Sequence, residues 1–157
     1  MDRRAAGLTV LRICIGIFFL FEGIGKIRWF ANTALLSNQL DGWVSAVSSN
    51  SWSARYLAKI AVPYAPYFAR LVPLGELTSG AAMILGFWTP LFAFIAFFMA
   101  LNFELASGVL FKYAWLTNPY GLPVLGATLA LTIGGIRLPW SMRGGAPVRA
   151  AKAARSS

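Results

Sequence analysis

The chain has 157 residues, of which 58% are hydrophobic and only 12% are charged. A soluble domain of this length carries roughly twice that charged share, so the composition excludes an ordinary soluble domain and indicates an all-α integral membrane protein. The net charge of +9 favours contact with the lipid bilayer over nucleic-acid binding, because most of the chain is too apolar to present a basic face to water.

Four apolar segments have the length of membrane spans. They cover residues 5–24, 67–88, 91–110 and 120–138. Each is close to the roughly 20 residues with which an α-helix crosses the bilayer. A helix can span the lipid because its backbone polar groups hydrogen-bond within the same segment. Thr89-Pro90 separates the second and third spans, since proline suits the first turn of a helix. The sequence thus predicts a four-helix bundle within residues 1–140.

The connection after the first span and the C-terminal tail have a different character. The connection, residues 25–66, contains the segment "SARYLAKIAV", whose apolar residues have helical spacing. This pattern predicts short amphipathic helices that lie at the membrane interface. The tail, residues 141–157, is small and basic, and we predict that it is disordered.

We expect a multi-pass protein of the plasma membrane. The distribution of its basic residues favours an orientation with both termini in the cytoplasm. Four spans put both ends on one side, where seven basic residues lie: Arg3, Arg4, Arg137, Arg143, Arg149, Lys152 and Arg155. The two opposite loops carry five over a greater length: Lys26, Arg28, Arg55, Lys59 and Lys112.

The available side chains limit the chemistry. The sequence has no histidine and one cysteine, Cys14, which excludes histidine-ligated haem, Rieske centres, most zinc or copper sites and a Cys-x-x-Cys redox pair. We predict no metal, haem or flavin site. Any reaction would have to use carboxylates, arginine, lysine, tyrosine or an external cofactor.

Three of the five acidic residues, Glu22, Glu76 and Glu104, lie within or at the ends of predicted spans. A charge inside the membrane costs several kcal/mol, so it usually faces a bundle interior or a wet cavity. At about 1.5 Å of rise per residue, all three lie in the outer half of the membrane, near the level of Lys26 and Arg70. We therefore expect a buried ionic cluster shared by the first three spans.

Spacing also assigns the polar residues to helix faces. One face of the first span carries Arg12, Gly16, Gly23 and Lys26, and one face of the second carries Glu76, Gly80, Met83 and Phe87. Because glycine lets helices approach closely, we expect these two stripes to face each other. Glu22 is expected to pair with Lys26. Arg12 or Arg70 is expected to neutralise Glu76.

A purely structural explanation stays open for each of these residues. Glu22 and Lys26 can form a simple interfacial ion pair, and the Arg12 side chain can extend to the inner surface. Glu104 can lie near enough to water to need no partner. Glycine stripes serve packing more often than function. Three acids at one depth, with few acids elsewhere, are less easily explained in this way.

Two motifs resemble the DoxX/DoxD family of small four-helix membrane proteins. The first is the stripe of Arg12, Gly16, Gly23 and Lys26, and the second is "ELTSGAAMILGFWTP", residues 76–90. The similarity covers residues 11–138, and the long aromatic loop is closer to the DoxD branch. The resemblance implies a link to thiosulfate:quinone oxidoreductase, in which electrons from thiosulfate reach membrane quinone. It supplies no catalytic residues: Glu22 and Glu104 are nominated from their depth alone.

Two functions are open at this point. In the first, the chain is an oxidoreductase subunit with quinone as its membrane acceptor. Glu22 or Glu76 then handles protons, and the substrate-binding candidates are Arg12, Lys26, Arg70 and Glu104. Lys26 and Arg70 would attract a sulfur anion at the outer face. This function requires a partner redox subunit or a donor that reacts directly.

In the second, the chain is a non-catalytic anchor or accessory subunit that organises a redox complex. A small-solute carrier is less favoured, because four helices without a visible repeat offer little for alternating access unless the protein forms a homo-oligomer.

Overall fold

A computed structural model describes residues 2–142 of the chain. This part is helical and contains no strand, which confirms the predicted all-α fold. Its helices are α1 (Arg3–Gly25), α2 (Ala34–Ala46), α3 (Trp52–Tyr56), α4 (Ala65–Leu85), α5 (Thr89–Ser107), α6 (Tyr113–Thr117) and α7 (Leu122–Gly134). A 3₁₀ turn (Ile27–Phe30) follows α1, and a π-helical segment (Leu57–Ala61) follows α3. The predicted disorder of the tail concerns residues 143–157, which lie outside the described part.

Helices α1, α4 and α5 are long and apolar enough to cross a membrane. They contain 23, 21 and 19 residues, which corresponds to about 28–35 Å at the usual rise per residue. The most apolar stretch of each has a mean hydropathy between 1.2 and 1.9. The protein is therefore a membrane protein with three candidate spans among its described helices.

Helix α7 is shorter than the predicted fourth span. It has 13 residues, Leu122–Gly134, or about 20 Å at the same rise. Pro123 fixes its first turn, and Gly134 and Gly135 lie at its end, where glycine makes helical continuation unfavourable. Because α7 packs along α5, it completes a four-helix core. Its role as a fourth span, and the orientation derived from an even number of spans, stay predictions.

A left-handed glycine and a proline set the boundary between α4 and α5. Gly86 has a φ of 69°, a conformation that glycine adopts without strain. The N–H of Phe87 then donates to the carbonyl of Ala82 at 2.8 Å and ends α4. Pro90 lies in the first turn of α5. The second predicted span therefore ends at residue 85 instead of 88, and the third begins at 89.

The glycine stripes of α1 and α4 face each other, as the sequence predicted. A Cβ atom added to Gly80 would lie 2.5 Å from the backbone nitrogen of Leu20, and one added to Gly16 would lie 2.9 Å from that of Ile84. Both distances are too short for real side-chain contacts, so the two backbones approach closely only because these positions are glycine. The pairing is antiparallel and joins residues 16–23 of α1 to residues 76–84 in the C-terminal half of α4.

The predicted short helices of the connection are present and cover one end of the bundle. Helix α2 and the π-helical segment bury Leu36, Leu40 and Leu57 against the start of α4. Large apolar side chains on the outer faces of the spans stay exposed, among them Phe21, Leu71, Phe94 and Phe98. An exposed apolar surface of this extent is typical of helices that contact lipid.

Candidate functional site

A buried cluster of four polar side chains joins α1, α4 and the segment before α7. It consists of Glu22 and Lys26 at the end of α1, Glu76 in the middle of α4, and Tyr120. Glu76 is fully buried, Tyr120 is 9% exposed, and the Lys26 side chain is 13% exposed. The antiparallel packing of α1 and α4 creates the cluster, because it puts the Glu76 side chain beside Gly23, three residues before Lys26.

The Lys26 ammonium group lies at the centre of this polar cluster. Its Nζ is 2.7 Å from Glu22 Oε2, 2.9 Å from Glu76 Oε1 and 2.6 Å from the Tyr120 hydroxyl oxygen. The three N–H donors of lysine thus each have an acceptor. Buried charges are tolerated only when they are paired and hydrogen-bonded. The predicted Glu22–Lys26 ion pair is confirmed, and Lys26 also pairs with Glu76.

The Tyr120 hydroxyl group links the two carboxyl groups. Its oxygen is 2.7 Å from Glu22 Oε2 and 2.6 Å from Glu76 Oε1. A phenol has one proton, so it can donate to only one of them. The second carboxyl can hydrogen-bond to the phenol oxygen only if it carries a proton of its own. The distances therefore fit a cluster in which one additional proton is shared, with one carboxylate balancing the charge of Lys26.

Aromatic rings surround the ammonium group. The Phe103 ring of α5 stacks on Tyr120, with centroids 4.9 Å apart and an interplanar angle of 13°. Lys26 Nζ is 5.4 Å from the centroid of Phe103, a distance at which a cation attracts an aromatic face, whereas it approaches Tyr120 at the hydroxyl group. Helix α5 thus contributes to the site through Phe103 and not through an acid.

Tyr120 and Phe103 were missing from the sequence-based prediction, which ranked charged residues by their depth. Tyr120 is the first residue of the predicted fourth span and lies at the same outer level as Glu22. The same depth argument, extended to phenols, would have found it. Phe103 lies in a helix with several other phenylalanines, and nothing in the sequence distinguishes it from them.

Arg12 lies in a separate polar site nearer the other end of α1. Its Nη1 donates to Ser141 Oγ at 2.6 Å, and its Nη2 donates to the Trp140 carbonyl at 2.9 Å. It is fully buried, so the side chain does not extend to the surface. The predicted pairing of Arg12 with Glu76 is wrong, because antiparallel packing puts Gly86 beside Arg12.

Arg70 and Glu104 are not in the cluster either. Arg70 is exposed, and its guanidinium group donates to the Pro66 carbonyl at 3.1 Å. It therefore does not neutralise Glu76. Glu104 is fully buried, and neither carboxyl oxygen has a hydrogen-bond partner among the described residues. This burial contradicts the alternative that Glu104 reaches water. Of the six predicted site residues, Glu22, Lys26 and Glu76 come together.

An apolar groove of about 430 Å³ opens between α4 and α5 next to the cluster. Its aromatic walls are Phe68, Phe94, Phe98 and Phe103, and its polar side chain is Asn102. The Asn102 amide contacts the Tyr56 hydroxyl group at 2.5 Å. The volume lies within the range of about 300–1,000 Å³ found for small-molecule sites. Phe103 lines the groove and stacks on Tyr120, so this residue is common to both features.

The family model described as DoxX matches residues 7–106 of the chain. This range covers more than half of the sequence and includes Glu22, Lys26, Glu76 and Phe103. Neither the comparison with curated proteins nor that with solved structures finds a match. The narrower similarity to the DoxD branch therefore stays a prediction. On the strength of the family match, the chain belongs to the DoxX family.

Proposed function

We propose that this protein is the membrane subunit of a quinone-linked oxidoreductase, in which the cluster of Glu22, Lys26, Glu76 and Tyr120 exchanges protons beside a quinone-binding groove. The observation that carries the proposal is the position of Phe103. Its ring lines the apolar groove and stacks on Tyr120, so the groove and the cluster share one side chain.

The groove has the chemistry that a quinone requires. Phenylalanine rings and aliphatic side chains line it and would hold a flat, apolar head group. Leu71 and Phe98 line the groove and are 60% and 50% exposed on the outer face of the bundle. An isoprenoid tail could therefore leave the groove directly into lipid. Asn102 and Tyr56 offer the polar groups that would orient a quinone carbonyl.

The polar cluster supplies what reduction of a quinone needs besides electrons. A quinone takes up two electrons and two protons when it becomes a quinol. Tyr120 contacts both carboxyl groups, so it can pass a proton between Glu22 and Glu76 without movement of heavy atoms. Rotation of the Phe103 ring would bring the Tyr120 hydroxyl group into contact with the groove.

The proposed electron donor is thiosulfate or a related sulfur anion. Two thiosulfate ions that join through a new S–S bond release the two electrons that the quinone needs. Lys26 is already paired with two carboxyl groups, so the exposed Arg70 is left to attract the anion. We place the protein in the plasma membrane with both termini in the cytoplasm. A partner redox subunit in the same membrane could complete the electron path from the sulfur anion to the quinone.

Turnover with a soluble quinone analogue tests this function. The full-length protein, purified with any partner that accompanies it, is mixed with thiosulfate and decyl-ubiquinone, and quinone absorbance is followed. Glu76→Gln should reduce turnover by at least about 100-fold, since removal of a general acid–base group costs this much or more. Asp41→Asn is the matched control, because Asp41 is an exposed acid on α2. If the protein neither binds nor reduces quinone, with or without its partners, the proposal is wrong.

The second candidate is a non-catalytic subunit that organises a redox complex. The observation that favours it is the self-sufficiency of the cluster, in which Lys26, Glu22 and Glu76 satisfy one another within the chain. Such a buried network can fix the register of packed helices without any reaction. A co-purified redox protein whose own turnover is the same with wild-type protein and with Glu76→Gln would favour this candidate.

A further inference from the structure

A second polar site lies at the other end of the bundle, where α1 and the boundary between α4 and α5 meet the segment after α7. Arg12 is fully buried there. Its guanidinium group bonds to two neutral oxygens, Ser141 Oγ and the Trp140 carbonyl. Its Nε has no partner, and no carboxyl group of the described residues pairs with it.

An arginine in this environment lacks a counter-charge. The guanidinium group stays charged in proteins, and a buried charge is unfavourable unless an opposite charge or a full set of hydrogen bonds compensates it. The acidic residues of the outer cluster are far away, since Lys26 lies about 21 Å further along α1 at 1.5 Å per residue. Within residues 2–142, the site around Arg12 therefore holds no anionic side chain.

A cavity of about 310 Å³ lies beside Ser141, the residue that accepts a hydrogen bond from Arg12. Thr89, Arg137 and Ser141 line it, and no acidic residue does. The Thr89 hydroxyl group is buried and has no hydrogen-bond partner among residues 2–142. Ser141 Oγ accepts its bond from Arg12, so its own O–H is left to donate. The cavity thus has one hydroxyl donor, Ser141, and one arginine, Arg137, with Arg12 behind Ser141.

The backbone around this cavity is strained. Trp88, Arg137 and Trp140 have φ angles of 42°, 56° and 54°, a left-handed conformation that is rare for large side chains. Within the described part of the chain, only Phe111 shares this property among the residues other than glycine. Strained residues of this kind cluster at ligand-binding sites. Two of the three are tryptophans, which are common at the level of lipid head groups.

We propose that this cavity binds a tetrahedral oxyanion, either the phosphate of an anionic phospholipid or a free ion of the same shape. Ser141 and Arg137 donate directly to its oxygens, and Arg12 supplies buried positive charge through Ser141. The site is independent of the proposed quinone chemistry, because Arg12 lies ten residues before Glu22 on α1, about 15 Å along the helix.

Lipid binding to the full-length protein provides the first test. Native mass spectrometry measures binding of phosphatidylglycerol and phosphatidylcholine to wild-type protein, Arg137→Gln, Ser141→Ala and the control Arg28→Gln. Arg137 and Arg28 are both exposed arginines, but Arg28 follows the other end of α1. Each site variant should bind phosphatidylglycerol about tenfold more weakly, as expected for the loss of one charge-assisted hydrogen bond, whereas Arg28→Gln should bind as wild type does.

Thermal unfolding in soluble anions provides the second test and identifies the source of the oxyanion. Phosphate, sulfate and chloride are compared at equal ionic strength. If the anion is free in water, phosphate and sulfate stabilise wild-type protein more than chloride does, and both site variants lose this effect. Far-UV circular dichroism checks that the variants fold.

Two results would overturn the proposal. One is phosphatidylglycerol binding that Arg137→Gln and Ser141→Ala leave unchanged, together with no preference for phosphate or sulfate over chloride. The other is an equal loss of lipid binding in Arg28→Gln, which would show a general attraction of the basic protein for anionic lipid instead of a built site. A loss confined to phosphatidylglycerol binding identifies the ligand as a lipid phosphate. A loss confined to the stabilisation by phosphate and sulfate identifies it as a free oxyanion.

Discussion

Lys26 is the residue on which the buried polar cluster of Glu22, Lys26, Glu76 and Tyr120 depends. It is the cation that contacts both carboxyl groups, and Glu76 is fully buried beside it. A buried carboxylate without its partner costs far more free energy than an exposed one. Loss of the Lys26 charge should therefore lower the stability of the protein much more than loss of a surface lysine does.

Lys26→Met should therefore destabilise the protein by about 3–5 kcal/mol, the usual cost of breaking one buried ion pair. Lys59→Met is the matched control, since Lys59 is exposed and the free energy of unfolding should change by about 0.5 kcal/mol or less. Reversible unfolding in detergent or lipid measures both. Equal stability of the two variants would show that Lys26 does not carry the cluster.

The shared proton predicted for Glu22, Glu76 and Tyr120 has a spectroscopic consequence. A protonated carboxyl group has its own carbonyl stretching band in the infrared. We expect this band at neutral pH, shifted by Tyr120→Phe, which keeps the ring, and removed by Glu76→Gln, which leaves Glu22 paired with Lys26 alone. The measurement belongs in a Glu104→Met background, so that the other buried carboxyl group does not contribute. A band that Glu76→Gln leaves unchanged would contradict the sharing of a proton.

The two buried acids, Glu76 and Glu104, should differ in what their removal does to stability. Glu104 has no hydrogen-bond partner in the described part of the chain, so Glu104→Met removes an unsatisfied polar group and should stabilise the protein by about 1–3 kcal/mol. Glu76→Met removes a carboxyl group that contacts both Lys26 and Tyr120 and should destabilise the protein. The two melting temperatures, measured side by side, test this; a fall for both would mean that Glu104 has a partner.

At the scale of elements, the contact between α1 and α4 determines the site, because it brings Glu76 to the end of α1. Gly80→Ala would place a methyl group 2.5 Å from the backbone nitrogen of Leu20, so it should destabilise the protein by about 1–3 kcal/mol or more. Gly7→Ala, on α1 with open space around it, should be neutral or slightly stabilising. Chemical unfolding of the two variants distinguishes them; similar values would argue against a tight α1–α4 contact.

The long elements could be predicted because hydropathy alone marks them, and the glycine spacing predicted which faces of α1 and α4 meet. The length of α7 could not be predicted from hydropathy, because apolar residues continue beyond Gly134-Gly135 although the helix ends there. Depth put Glu22, Glu76 and Lys26 at one level. It did not identify Lys26 as the partner of Glu76, because that depends on the register of two antiparallel helices, which spacing within each helix does not reveal.

At the scale of the whole molecule, the two polar sites lie towards opposite ends of α1 and differ in charge. The outer cluster balances Lys26 with carboxyl groups inside the protein, whereas Arg12 has no such partner among the described residues. The first arrangement suits proton exchange next to an apolar groove, and the second suits capture of an anion. A protein that handles an apolar acceptor and contacts anionic lipid would need both.

The central claim is that the apolar groove and the polar cluster form one quinone site with separate tasks, and steady-state kinetics against decyl-ubiquinone concentration test it most directly. Leu71→Trp, which fills the groove from its lipid-exposed side, should raise KM and leave kcat nearly unchanged. Tyr120→Phe should lower kcat by at least about tenfold and leave KM nearly unchanged. If both substitutions change the same parameter, or if neither changes turnover, the groove and the cluster do not work together in the way we propose.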